Sequence, residues 1–410
     1  MHNQKTKRLA VFLACFGMMR AMRDCLSARP RVIVYVFASP LLSDQEDGEL
    51  AALQVPEGAW ELEVDEAGDG DDDDRREGGA GEVVEERGEQ QEGGGDDGGR
   101  DHAGEAGAGA GLGVPLAEAA GSLSGLGWAS GCGSSDFRSF EGYRGRKVDC
   151  VTCWGGRRNW SEAVNVPTGI MRSTSAQISL GFPVLPDTHS AVRNPGNWRL
   201  AARGTFDGYY TQFARNLAAT GRKNVIVRIG WETNRQFPWY GGSDPQGFKD
   251  TFRRVADILR RHNPSVRTEW CNVKKGSQRG SVLTLYPGDD AVDIISCDYY
   301  DGWPALNTEK IWDQQYNSTH SGGPWGIGSW LSFARSRGKK FACPEWGIST
   351  DNGPGTTDNP LYIRKMYEFF SKNASYIAYE NYFNQRSRHQ LTPGHINPKA
   401  SAEYRRLWGR

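Results

Sequence analysis

No stretch of the 410-residue chain reaches the roughly eighteen uninterrupted apolar residues of a membrane-spanning helix, which excludes a polytopic membrane protein. No GxGxxG follows a strand-like run at a helix start, so a nucleotide-binding reading lacks its glycines. Cys150 and Cys153 form a CxxC, but a second pair of metal ligands is missing. VDCVTCW alternates like a strand, where residues three apart face opposite ways, so both are read as buried free thiols. No cofactor and no metal are expected.

Charge is present but unevenly placed. Residues 61–100 hold 17 acidic against 4 basic residues, and residues 101–128 add three acids, no bases and a Gly/Ala-rich run. The first sixty residues are almost balanced, with 7 basic and 6 acidic. Residues 129–410 therefore keep 38 basic and 24 acidic residues, an excess of +14 hidden in a total of −1. The acidic, Gly-rich tract has too little apolar surface to offset its chain entropy, so residues 46–125 are expected to be disordered.

The first 45 residues leave two readings open. Lys5, Lys7 and Arg8 before the apolar run Leu9–Met19 have the layout of a secretory leader, which would make the protein extracellular. Arg20 and Arg23 follow at once without a clean small-x-small cleavage site, as in a mis-assigned upstream segment. Three sequons, at Asn159, Asn317 and Asn373, matter only in a eukaryotic secretory pathway.

From about residue 126 to the end the chain keeps one rhythm. Eight short apolar or β-branched runs alternate with longer segments. The runs are Gly127–Cys132, Val148–Trp154, Gln177–Leu185, Val225–Trp231, Val266–Asn272, Val292–Tyr299, Lys340–Trp346 and Tyr376–Phe383. Between them lie helical periods over Phe206–Ala219, with Thr205 as cap, and over Pro245–Arg261, where Phe248, Phe252, Val255, Ile258 and Leu259 share a face. Ile327–Arg335 and Pro360–Lys372 supply two more, while the stretch after the fifth run is irregular. Eight such alternations in some 280 residues predict an α/β fold, a (β/α)8 TIM barrel.

In such a barrel the chemistry lies at the carboxyl ends of the strands. The fourth run ends in Trp231-Glu232 and the seventh in Glu345-Trp346. Two glutamates on nearly opposite strands, each with apolar residues behind it, suit glycoside hydrolysis. There one carboxyl must be protonated to donate to the leaving oxygen and the other ionised. Tryptophans near strand ends offer faces on which the C–H surface of a pyranose stacks. Trp154, Trp239, Tyr240, Trp303 and Trp346 are the candidates, Trp239 and Trp346 foremost.

Several of these segments together resemble successive blocks of the family-26 glycoside hydrolases: LGFPVLP (180–186), the helix at 206–221, VRIGWETNRQFPWY (227–240), LYPGDDAVDIISCDYYD (285–301) and FACPEWGI (341–348). The resemblance covers about residues 128–390 in order. It implies a retaining (β/α)8 enzyme, mostly a β-mannanase, with Glu232 as acid/base and Glu345 as nucleophile. It also implies supporting roles for Arg228, Asn234, Asp298 and Tyr300, the tyrosine hydroxyl contacting the nucleophile. Where the best-known members have histidine before the acid/base, this chain has Trp231. The expected activity is endo-hydrolysis of a β-linked polysaccharide, a β-mannan first, by a monomer without nucleic-acid or membrane partners. A carbohydrate-binding barrel without catalysis is the alternative. The basic excess has two readings, a barrel that binds an anionic, uronic-acid-bearing glycan and solvated arginine on outer helices, as in the pairs at 253–254, 260–261 and 405–406, and the second is preferred.

Overall fold

A computed structural model of the protein describes residues 122–350, 355–385, 388–394 and 396–409. The expectations for residues 1–121, a leader-like segment and a disordered acidic tract, lie outside the described residues.

Eight parallel strands close into a barrel: β1 (Ser130–Gly133), β2 (Cys150–Trp154), β3 (Gln177–Phe182), β4 (Val225–Ile229), β5 (Arg267–Val273), β6 (Ile294–Tyr300), β7 (Lys340–Gly347) and β8 (Ile377–Tyr382). Each pairs with its neighbour in sequence, and β1 closes on β8. All eight overlap the runs expected, four of them ending one residue beyond the run. Helices cover Asp207–Ala219, Pro245–His262, Ile327–Ser336 and Pro360–Lys372. After β5 the connection holds only the 3-10 turn Val282–Leu285.

Local chemistry sets these elements. Asp244 caps Pro245–His262 by accepting from the Gly247 N–H, proline opens the helix, and Arg260, Arg261 and His262 sit at its negative end. The five residues assigned to its apolar face are all buried. Thr205 is a correction. The cap position of Asp207–Ala219 is Phe206, with no side-chain bond, because a tight turn from Gly204 leads into the helix; Asp207 supplies the first-turn charge and pairs with Arg254.

Inside the barrel, side chains alternate with the two-residue strand period. Gly131 of β1 has no room for more. A Cβ there would lie 1.7 Å from the Cys150 carbonyl oxygen and 2.5 Å from Asn381 Oδ1. A polar layer also crosses the barrel interior, in which Tyr379 of β8 donates to Glu269 of β5 at 2.7 Å and Ser296 of β6 donates to the same carboxyl at 2.6 Å. Cys150 and Cys153 are buried and free, as expected.

Outside the strands one buried carboxyl ties the molecule together. Glu380 of β8 accepts indole N–H groups from Trp128 before β1 (3.2 Å), from Trp408 in the helix Pro398–Trp408 (3.0 Å) and from Trp346 of β7. Residues 122–125, placed at the end of the disordered tract by the sequence, also belong to the barrel. Ser122 Oγ and the Ser124 N–H both donate to Asp149 beside β2.

Candidate active site

The carboxyl end of the barrel gathers side chains from β2, β4, β6 and β7. Glu345 points inward from β7 and accepts three hydrogen bonds. Arg228 Nη1 donates to Oε1 at 2.7 Å, Trp154 Nε1 to the same oxygen at 3.0 Å, and the Tyr300 hydroxyl to Oε2 at 3.1 Å. A guanidinium and two neutral donors converging on one carboxyl stabilise its negative charge. Only a sliver of the side chain is open to solvent.

Glu232 stands just beyond β4 in the opposite electrostatic setting. Burial, reinforced by the negative charge of Glu345, pushes its carboxyl up to about 7. Arg235 works against this by donating to Oε2 at 3.1 Å, from a guanidinium more than half exposed to screening water. The Glu232 backbone is held at φ 48°, in the left-handed region that non-glycine residues avoid. Such strain concentrates at functional sites because the surroundings over-determine it.

Arg228 also lies 3.6 Å from Asp298 of β6, and both are fully buried. Burial drives the Asp298 carboxyl well above the usual carboxylate range, and the nearby Glu345 adds to the rise. The Cys271 thiol donates to Asp298 Oδ2 at 3.5 Å. Of the two carboxyls that share the guanidinium, Glu345 makes the short contact and Asp298 the long one.

Trp154 ends β2 pointing inward, half-buried, with Phe383 edge-on at 5.8 Å. Tyr300, His389 and Phe383 form the adjoining wall, with ring centroids 4.9 to 5.9 Å apart. Trp231 packs opposite. Gly181 of β3 makes this possible, since a Cβ there would lie 2.8 Å from Trp231 Cε3 and 2.9 Å from Trp154 Cδ1. Trp303, after β6, is 48% exposed.

Four of the residues expected in the cleft are occupied elsewhere. Trp346 is fully buried on the outer side of β7, bonded to Glu380, because neighbours on a strand face opposite ways and Glu345 takes the inner side. Trp239 is also fully buried; its indole donates to the Trp231 carbonyl at 2.7 Å and its ring supports Trp231 from behind. Neither offers a face to a sugar. Asn234 spends its amide on the Val273 backbone, donating to O at 2.9 Å and accepting from N at 2.8 Å, so it locks the β4 loop to β5. Tyr240 does similar work through its hydroxyl, which donates to the Ser277 carbonyl.

Sequence reasoning missed Arg235, Phe383, His389 and Lys274. The last is a buried lysine after β5 whose ammonium donates to the carbonyls of Gly302 and Pro304, on either side of Trp303. Arg235 was open to detection, three residues from Glu232 on one turn. The others depend on loop paths that carry no periodicity. Among the described residues no cluster of His, Cys, Asp and Glu is arranged to hold a metal ion, and no helix is long and apolar enough to cross a membrane.

No protein-family model matches the chain, and no curated protein does. Solved structures similar to it include the catalytic domain of a GH26 endo-β-1,4-mannanase from Bacillus sp. JAMB-750, at 17% identity and a TM-score of 0.47 over 73% of this chain and 84% of that one. A GH26 β-mannanase from Bacteroides ovatus is 16% identical, with a TM-score of 0.47 over 68% and 86%. A complex of a GH113 β-1,4-mannanase is 12% identical, with a TM-score of 0.41 over 68% and 96%.

Proposed function

We propose that the protein is a retaining endo-β-glycosidase acting on a β-linked polysaccharide, with a β-mannan as the first backbone to try. The observation that supports this most is the contrast between the two strand-end glutamates. Glu232 is buried and pushed up to about 7, while Glu345 receives Arg228, Trp154 and Tyr300. One carboxyl is set to hold a proton near neutrality and the other to hold a charge, the division that double displacement needs.

In this reading Glu232 donates its proton to the glycosidic oxygen as Glu345 attacks the anomeric carbon, forming a glycosyl ester and releasing the leaving sugar. Glu232, now ionised, takes a proton from water, which attacks the same carbon and breaks the ester. Two inversions leave the anomeric configuration as it was. Tyr300 and Arg228, both on Glu345, must loosen their hold as its charge passes into the ester. The barrel's resemblance to mannanase structures prompts the choice of backbone.

The test is product analysis on mannan, xylan, lichenan and β-1,3-glucan, with proton NMR of the first-formed anomer. Release of β-configured reducing ends supports the proposal. First-formed α-anomer would mean inversion, and binding without release from any polymer would leave a carbohydrate-binding barrel.

A further inference from the structure

The charged groups around the cleft are not arranged like those on the rest of the surface. On the outer helices, several basic residues have acidic partners. Arg253 pairs with Asp290, Arg254 with Asp207, Arg260 with Asp293, and Arg406 with Glu403. The arginine pairs that the sequence suggested as the solvated positive excess are thus largely neutralised. The strand-end loops differ. The segment after β2 (155–159) carries Arg157 and Arg158, that after β5 (274–281) carries Lys274, Lys275 and Arg279, and that after β8 (383–397) carries two arginines; none of the three contains an Asp or Glu.

Three of these cations, Lys275, Arg157 and Arg388, stand beside aromatic or imidazole rings at the site. Lys275 is exposed, with its ammonium 3.7 Å from the ring centroid of Trp303, and it meets no carboxylate among the described residues. Arg157 and Arg235 both lie 5.5 Å from the ring of Phe237, which itself packs against Trp231. Arg388 donates to His389, whose ring lies 4.9 Å from Tyr300. The carboxylates beside them are Glu232, held by Arg235, Asp187, 3.8 Å from Arg157, and Glu162, paired with Arg158. An aromatic face serving a neutral pyranose should be free for its C–H surface. At Phe237 and Trp303, cations lie over the rings instead, as cation–π geometry allows.

We infer that the glycan bound in this cleft carries acidic groups, carboxylates of uronic-acid units or sulfate esters, on sugars flanking the cleaved bond, with Lys275, Arg157 and Arg388 receiving them. This rests on the glycosidase reading above and names the substrate class for that site. A low-dielectric cleft lined by one sign of charge concentrates polyanions and speeds their capture, an effect that salt removes.

The experiment uses one β-mannan backbone in three forms, unmodified, carboxymethylated and sulfated, with the full chain, at about 20 mM and about 500 mM salt. The expected kcat/KM at low salt is about tenfold or more higher on at least one anionic form than on the neutral one, and the ratio should shrink several-fold at high salt. Whether the carboxymethyl or the sulfate form leads identifies the acidic group. Lys275→Gln and Arg388→Gln should each narrow the anionic-to-neutral ratio about threefold or more. A neutral substrate equal to or better than both anionic forms at low salt would overturn the inference, as would ratios unmoved by both substitutions. Migration through native gels containing each polymer reads binding without cleavage. Retardation by the anionic forms alone, with no polymer cut, would sink the glycosidase reading and leave the charge preference standing. Neither cleavage nor retardation would sink both.

Discussion

In the proposed mechanism two residues of the same type take opposite tasks, and the difference lies in what each touches. Because burial and Glu345 push Glu232 up to about 7, the free protein should lose kcat/KM as pH rises through about 7, where the acid gives up its proton. Glu232→Ala should spare substrates with good leaving groups, and azide should rescue it with retained configuration; azide rescue of Glu345→Ala should give inverted product. The reverse pattern would exchange the roles. Tyr300→Phe removes a 3.1 Å hydrogen bond to Glu345. A bond to a charged group contributes about 1.5–3 kcal/mol, so kcat should fall about 10- to 100-fold, with little change in melting temperature. A wild-type kcat in that variant would mean that the hydroxyl does not act on the nucleophile.

At the scale of strands and loops, the barrel was readable because parallel strands buried on both faces print as nearly continuous apolar runs, as most of the eight do. The same period shows why part of the site was misjudged. Glu345 and Trp346 were both assigned to the cleft, although adjacent residues on β7 cannot both point inward. Alternation also turns Trp154, Gly181 and Tyr300 inward, which the sequence permits one to count. The packing of Phe383 and His389, or the reach of Lys274 to Gly302 and Pro304, follows from irregular loops with no period to count. β3 offers the sharpest test. Gly181→Ala puts a methyl 2.8 Å and 2.9 Å from two indoles. Since the Trp154 N–H holds Glu345, activity should drop by about tenfold or more while the barrel survives, overpacking costing about 1–3 kcal/mol. Unchanged kinetics would show that Trp154 can shift freely.

Across the whole molecule, two buried groups should bend stability in opposite directions with pH. Glu232 is raised from 4.5 to about 7, so the folded state holds its proton longer than the unfolded chain and stability falls as pH climbs between those values. Burial lowers Lys274 from 10.5 to about 8, so the unfolded chain is the better protonated there and stability recovers as pH rises from about 8 toward 10.5. Glu232→Gln should flatten the first slope and Lys274→Met the second, each by an amount on the order of 3 kcal/mol or less. Urea titrations at a series of pH values would read both, and parallel profiles for wild type and variants would refute the assignment. The N-terminal limit of the barrel can be checked in the same way. Removal of residues 1–120 should leave a cooperative melt, whereas removal through Trp128 takes away the bonds to Asp149 and Glu380 and should lower the melting temperature by several degrees or more. Equal melts would place the limit further along. The three indoles on Glu380 also set an order of events during synthesis. Trp128 leaves the ribosome first, Trp346 much later, and Trp408 last, yet all bind one carboxyl backing the strand that carries Glu345. A nascent chain therefore holds the strand that carries Glu345 against an incompletely satisfied anchor until the helix Pro398–Trp408 has emerged.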